Sequence, residues 1–212
     1  MKTANAGGAQ KWVFVRHGET EWTEKGLLHG RLDSPLSPAG LKHAKLAADR
    51  LRGECIDVLY TSPSGRALQT ASILGEVLGL APTVLDGLRE MDFGWAEGKS
   101  LQIVDPAGPD SWLFRQLARI AMAATAERAS RFAARVSAAL ETARASYPQG
   151  NMLFVTHWGV LSMIKALLFD GGTRRWRDNG PWAACGITEL QLVNGSWQVI
   201  CLNDQTHFEE KR

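Results

Sequence analysis

The chain has 212 residues, 45% of them hydrophobic and 22% charged, with 24 Lys and Arg against 22 Asp and Glu for a formal charge of +2. That balance excludes disorder and fibrous rods, and it creates no field strong enough to imply nucleic acid or a membrane surface as partner. The length suits one domain that buries about 70% of the surface its unfolded form exposes.

Residues 1–10 carry one lysine and no apolar core of a signal segment, so they read as a flexible leader ahead of a single domain over 11–203 and a tail over 204–212. Lys11 to Val15 is a short β-branched run that reads as a buried strand, and it stops at Arg16-His17-Gly18-Glu19-Thr20. Ser37-Pro38 supplies an N-cap and an N1 proline, and Leu41, Ala44, Ala48 and Leu51 then recur at helical spacing until Gly53. Ile56 to Tyr60 is the next strand, Thr61 to Ser64 its turn, and Ala67 to Leu78 a second helix with Leu68, Ala71, Leu74 and Leu78 on one face. Thr83 to Leu85 reads as a brief strand and Gly87 to Lys99 as an ordered, glycine-rich loop.

Beyond Pro109 the Ala/Arg-rich stretch to about Ser146 is expected to be mostly helical, with Phe132, Val136, Leu140 and Ala143 on one face and Arg115, Arg119, Arg128, Arg131 and Arg135 in water. Arg115 and Arg119 also interrupt Trp112 to Ala126, so it does not read as a membrane span. Met152 to Thr156 is an apolar strand and Val160 to Phe169 a helix. Thr188 to Val193 and Ser196 to Leu202 form a hairpin around Asn194-Gly195. Alternating strands and helices predict a three-layer α/β/α fold whose mostly parallel sheet carries an antiparallel edge strand. Cys55, Cys185 and Cys201 are odd in number and lack C-x-x-C spacing, which predicts neither disulfides nor zinc and fits a reducing, cytoplasmic location.

Ligands of open α/β sheets sit beyond the carboxyl ends of the strands. There this chain places Arg16 and His17, then Arg66, then Glu90, then His157. Two guanidiniums and a helix N-terminus suit a phosphoryl group, because guanidinium forks match its oxygens. A neutral imidazole whose second nitrogen is held as a donor can attack phosphorus, and either His17 or His157 fits that role. A carboxyl with a raised pKa can protonate the departing alkoxide, and Glu90 is the best placed, with Asp92 and Glu97 nearby. Phosphoryl transfer of this kind needs no metal, and Asp33, Asp57, Asp86 and Asp92 are not spaced as a two-metal ligand set.

The segments VRHGETEW, SPLSPAG, YTSPSGRALQTA, LREMDFGWAEG and FVTHWGV, in that order, resemble the motifs of the histidine phosphatase superfamily, the phosphoglycerate mutase-like group, from Lys11 to about Asn203. The resemblance implies the phosphoglycerate mutase-like fold. It makes His17 the nucleophile that becomes phosphohistidine, Arg16, Arg66 and His157 the phosphate pocket, and Glu90 the proton donor, with no cofactor. Four positions depart from the commonest pattern. Thr23 stands for Asn, Leu27 for Arg, His29 for Gln and Trp158 for Gly. Thr23 can still give the phosphate one hydrogen bond, His29 faces the substrate beyond it, and Trp158 either crowds the pocket or forms a stacking wall. Trp22 and Trp95 are placed near the site by the loops that carry them.

The expected activity is a metal-independent phosphomonoesterase acting on a small phosphorylated metabolite. A cofactor-dependent phosphoglycerate mutase is the alternative within the family, and a non-catalytic phospholigand-binding module the alternative outside it. The modest segment from Leu101 to Ala129 and the loss of a cation at Leu27 favour hydrolysis. Assembly, a homodimer included, is not fixed by the residues.

Overall fold

The computed structural model describes residues 10–101 and 112–208. Its single six-stranded sheet comprises β1 (Lys11–Arg16), β2 (Val58–Thr61), β3 (Pro82–Val84), β4 (Met152–Thr156), β5 (Ile187–Val193) and β6 (Ser196–Asp204), in the order β3-β2-β4-β1-β5-β6. The first four strands pair in parallel, β5 runs antiparallel to β1, and β6 closes the edge antiparallel to β5. Asn194 and Gly195 both take positive φ in the turn between the last two strands, as the Asn-Gly pair predicts.

Helices cover both faces: α1 (Glu21–Glu24), α2 (Pro38–Arg50), α3 (Gly65–Leu78), α4 (Trp112–Thr125), α5 (Ala129–Ser146) and α6 (Trp158–Phe169). The two-residue alternation of each strand sorts its side chains between two cores. Val13, Val15, Leu59, Leu153 and Val155 pack with Ala48, Ala71 and Leu74 of α2 and α3. Trp12, Phe14, Tyr60, Met152 and Phe154 pack with Phe132, Val136 and Leu140 of α5 and Leu161 and Ile164 of α6. The Phe154 ring stacks on Phe14 at 4.9 Å and on Tyr60 at 5.5 Å, so the aromatic layer spans three neighbouring strands.

Register brings the chemistry to one rim. Arg16 pairs with Thr156 and Thr61 with Val155, and the chain leaves the sheet at the same level in each strand. The His17 N–H donates to Thr156 O at 2.9 Å and the Ser62 N–H to Val155 O at 3.0 Å.

The structure departs from the sequence expectation in several elements. The long helix expected up to Ser146 is broken between Thr125 and Ala129, where the Glu127 N–H turns away to donate to Asp92 O at 2.8 Å. The part of that expectation between Pro109 and Ser111 lies outside the described residues. The short helix α1 was not expected; Thr20 and Thr23 build a capping box without the usual Glu or Gln. The glycine-rich loop contains two 3₁₀ turns, Asp86–Leu88 and Gly94–Ala96. No helix among the described residues is long and apolar enough to cross a membrane.

Candidate active site

His17 leaves β1 at the centre of the rim and is 4% exposed. Its Nδ1 lies 2.8 Å from Gly18 O, a carbonyl that only accepts, so Nδ1 carries the proton and Nε2 the lone pair. Arg66 Nε donates to that Nε2 at 3.2 Å. Burial, with Arg66 and Arg16 adding to it, holds the imidazole well below the usual histidine range. The loop behind the ring is tightly packed. Gly18 N–H donates to Thr70 Oγ1 at 3.0 Å, and a Cβ on Gly18 would meet Gly40 O at 2.8 Å.

Arg66, on the first turn of α3, is completely buried. Nη1 donates to Leu32 O and Asp33 Oδ1, both at 2.9 Å, and Nη2 donates to Gly30 O at 2.8 Å and His157 Nδ1 at 3.2 Å. Sequence reasoning set Asp33 aside when it looked for metal ligands, yet Asp33 holds the central guanidinium. His157 Nε2 donates to Ser62 Oγ at 2.7 Å, the arrangement that leaves Nδ1 to accept from Arg66. The two imidazole rings lie 5.1 Å apart. Arg16 donates through Nη1 to Trp182 O at 2.6 Å, while its buried Nε has no protein partner. An orphaned cationic N–H in a closed pocket is costly unless an anion takes it.

Glu90 follows the first 3₁₀ turn and is 7% exposed. Met91 N–H donates to its Oε1 at 2.9 Å and Gly159 N–H to its Oε2 at 3.0 Å, and burial nonetheless raises the carboxyl above its ordinary range. Any Cβ at position 159 would strike Glu90 Oε1, which accounts for the glycine in the His157-Trp158-Gly159 run. The two nearby carboxylates are occupied elsewhere. Glu97 accepts from the N–H groups of Arg31, Leu32 and Phe93, and Asp92 accepts from Gly94 N–H and faces Arg31.

These groups open into a cavity of about 360 Å³ lined further by Thr23, Leu27, Leu28, His29, Phe93, Leu101 and Trp158. Of the eight sequence-predicted site residues, Arg16, His17, Thr23, His29, Arg66, Glu90 and Trp158 line this cavity, and His157 is completely buried against Arg66. The Thr23 hydroxyl, expected to face phosphate, is 3.0 Å from Thr20 Oγ1 and completes the α1 cap. His29 Nε2 sits 2.7 Å from the same Thr20 Oγ1, and Trp22 packs 5.4 Å from its ring. Trp158 stands as a wall against Gly180 without closing the cavity. Trp95 is not part of the lining; Lys99 Nζ lies 4.4 Å over its ring. Among the described residues no three His, Cys, Asp or Glu side chains group as a metal site.

Burial and the two arginines hold His29 down to about 4, from an ordinary value of 6.5. A histidine whose folded pKa is depressed stabilises the chain above its unfolded value, and that stability is lost as pH falls through the folded one. The melting temperature is therefore expected to drop between pH 6.5 and about 4, and His29→Gln to make that slope shallower in a thermal-melt series.

Residues 12–205 match the model of the histidine phosphatase superfamily, branch 1. The chain belongs to that superfamily. It is 36% identical over 205 residues to the putative phosphoserine phosphatase 2 of Hydrogenobacter thermophilus, covering 95% of this chain and 98% of the relative. It is 32% identical to the probable phosphoglycerate mutase GpmB of Yersinia enterocolitica, covering 92% and 94%. Among solved structures, Bacillus stearothermophilus YhfR superposes with a TM-score of 0.80 at 27% identity over 95% of this chain and all of that one. The protein is thus a histidine-type phosphatase with the phosphoglycerate mutase-like fold.

Proposed function

We infer that the protein hydrolyses a small phosphomonoester through a phosphohistidine on His17, with no metal. The observation that carries this reading is the pinned ring: Nδ1 is tied to Gly18 O, and the unprotonated Nε2 accepts from Arg66 Nε on a ring that lines the cavity with Arg16. In the first step His17 Nε2 bonds to phosphorus, the ester P–O bond breaks, and the leaving oxygen takes the Glu90 proton to depart as an alcohol. In the second, water attacks phosphorus and gives a proton to the Glu90 carboxylate. The P–N bond breaks, and inorganic phosphate leaves a neutral imidazole. Arg16 Nε, a buried donor with no protein partner, binds a phosphoryl oxygen, Arg66 adds its positive charge and the Nε–H that His17 Nε2 releases when it attacks, and His157 backs Arg66 through Nδ1.

The rest of the cavity favours hydrolysis over mutase chemistry and an apolar leaving group over an anionic one. Among its described lining residues Arg16 and Arg66 are the only cations, Arg66 with its donors held by protein groups and Arg16 left to one phosphoryl group, while Leu27, Leu28, Phe93, Leu101 and Trp158 form the walls. A bisphosphorylated intermediate or a substrate carboxylate finds no second counter-charge there. His29 and Trp158 border the leaving group, with His29 neutral at working pH.

The test is a panel of phenyl phosphate, phosphoserine and 3-phosphoglycerate with a chelator present. Phosphate release is expected to persist, with kcat/KM about tenfold or more higher for phenyl phosphate, as a well-placed apolar group contributes roughly 1–3 kcal/mol. Isomerisation of phosphoglycerate that outruns phosphate release in the presence of bisphosphoglycerate would replace this reading with the mutase. Phosphate binding without any turnover would replace it with a binding module.

A further inference from the structure

One cluster outside the cavity reaches the proton donor from behind. Arg135, on α5, was expected to lie in water, but its guanidinium is half-buried and fully used. Nη1 donates to Gly87 O at 2.9 Å and Arg89 O at 2.7 Å, and Nη2 donates to Glu90 O at 2.9 Å. The remaining donors meet Glu127, with Nε to Oε1 at 2.8 Å and Nη2 to Oε2 at 2.9 Å. The Glu127 side chain is only 4% exposed. Glu127 grips the far side of the same loop, its N–H donating to Asp92 O at 2.8 Å and its Oε2 accepting from Asp92 N–H at 3.4 Å. Beneath this, Gly87 lies so close to the Arg135 backbone carbonyl that a Cβ would contact it at 2.5 Å.

One ion pair therefore fixes the backbone on both sides of Glu90. Its position also explains the break in the long helix: Glu127 occupies the gap between α4 and α5, facing the loop rather than continuing the helical ladder. A carboxyl carried on two flexible methylenes is only as well placed as its backbone, and general acid catalysis requires hydrogen-bond reach of the leaving oxygen. We propose that Arg135 and Glu127 are positioning residues for the proton donor, holding the 87–92 backbone so that the Glu90 carboxyl meets both Gly159 N–H and the leaving group. The proposal rests on the phosphatase reading above.

The chemistry gives a readout that fold damage alone does not mimic. An alkyl phosphate must have its leaving oxygen protonated, whereas the nitrophenolate of 4-nitrophenyl phosphate departs without a proton. Arg135→Ala, Arg135→Lys and Glu127→Gln are assayed on both esters, with melting curves to establish that each variant is folded. Lysine keeps the charge but spans fewer of the three carbonyls. The expected result is a loss in kcat on the alkyl ester of about a hundredfold for Arg135→Ala, with little change in KM, and a smaller loss for Arg135→Lys and Glu127→Gln. Turnover of 4-nitrophenyl phosphate should stay within about threefold of the parent, well under that general-acid range. Equal losses on both esters, losses confined to KM, or no loss on the alkyl ester in any folded variant would overturn the proposal and leave the phosphatase reading standing. A parent enzyme that releases phosphate from neither ester would overturn both.

Discussion

His17→Asn is expected to remove turnover and covalent labelling together. The parent enzyme, mixed with a radiolabelled phosphomonoester and quenched in alkali, should retain label that acid then releases, the stability pattern of a phosphorus–nitrogen bond. Asparagine preserves size and a hydrogen bond to Gly18 O but offers no nitrogen lone pair for attack, so kcat should fall by roughly 10⁴-fold or more. The neighbouring imidazole does not substitute for it. His157 is completely buried and does not line the cavity, with Nδ1 turned to Arg66 Nη2 and Nε2 to Ser62 Oγ, so neither ring nitrogen faces a substrate, whereas His17 lines the cavity. Label persisting in His17→Asn would move the nucleophile to another residue, and full activity would end the phosphohistidine mechanism.

The second large effect belongs to Arg66→Lys. The guanidinium is fully buried and connects Gly30 O, Leu32 O, Asp33, His17 and His157. An ammonium has three donors without the planar fork and cannot reach all of these at once. Left without it are the buried carbonyl of Gly30 and the contact that faces His17 Nε2. The expected loss in kcat/KM is about 10²- to 10³-fold, comparable to removing one preorganised donor from an oxyanion site. Stability should fall by about 3 kcal/mol in denaturant titration, because a partner is removed from a buried, charge-bearing network. Near-parent kcat/KM in a folded Arg66→Lys protein would mean that the phosphoryl group is held elsewhere.

What could be read from the sequence was local. The strand–turn–helix repeats, the proline at the start of α2 and the Asn-Gly hairpin each carry their signal within a few residues, and all appear in the fold. Because parallel strands end together, the same reading also brought His17, Arg66, Glu90 and His157 to one rim. The groups that hold them in place were not legible. Asp33 is 33 residues from Arg66, Ser62 is 95 from His157, and Arg135 is 45 from Glu90, so nothing in spacing or periodicity marks these pairs. Arg135 illustrates the reason. On a helix rich in alanine and arginine it looks like one more solvated cation, and only the path of the preceding loop supplies the carbonyls that it binds. The short α1 was missed for a different cause: Thr23 completes the cap where Glu or Gln would have been recognised.

Three glycines make close approaches around the site: Gly18 against Gly40 O and Gly40 against Glu19 O pack the loop after His17, and Gly159 lies against the Glu90 carboxyl. For anyone redesigning the enzyme toward new esters, these positions are closed to diversification, since even a methyl group there displaces the loop after His17 or the Glu90 carboxyl. The freedom lies instead at Leu27, Leu28, Phe93 and Leu101, where side chains meet open volume. Selectivity and reactivity thus occupy separate sets of codons, and a library confined to the walls leaves the reacting centre undisturbed.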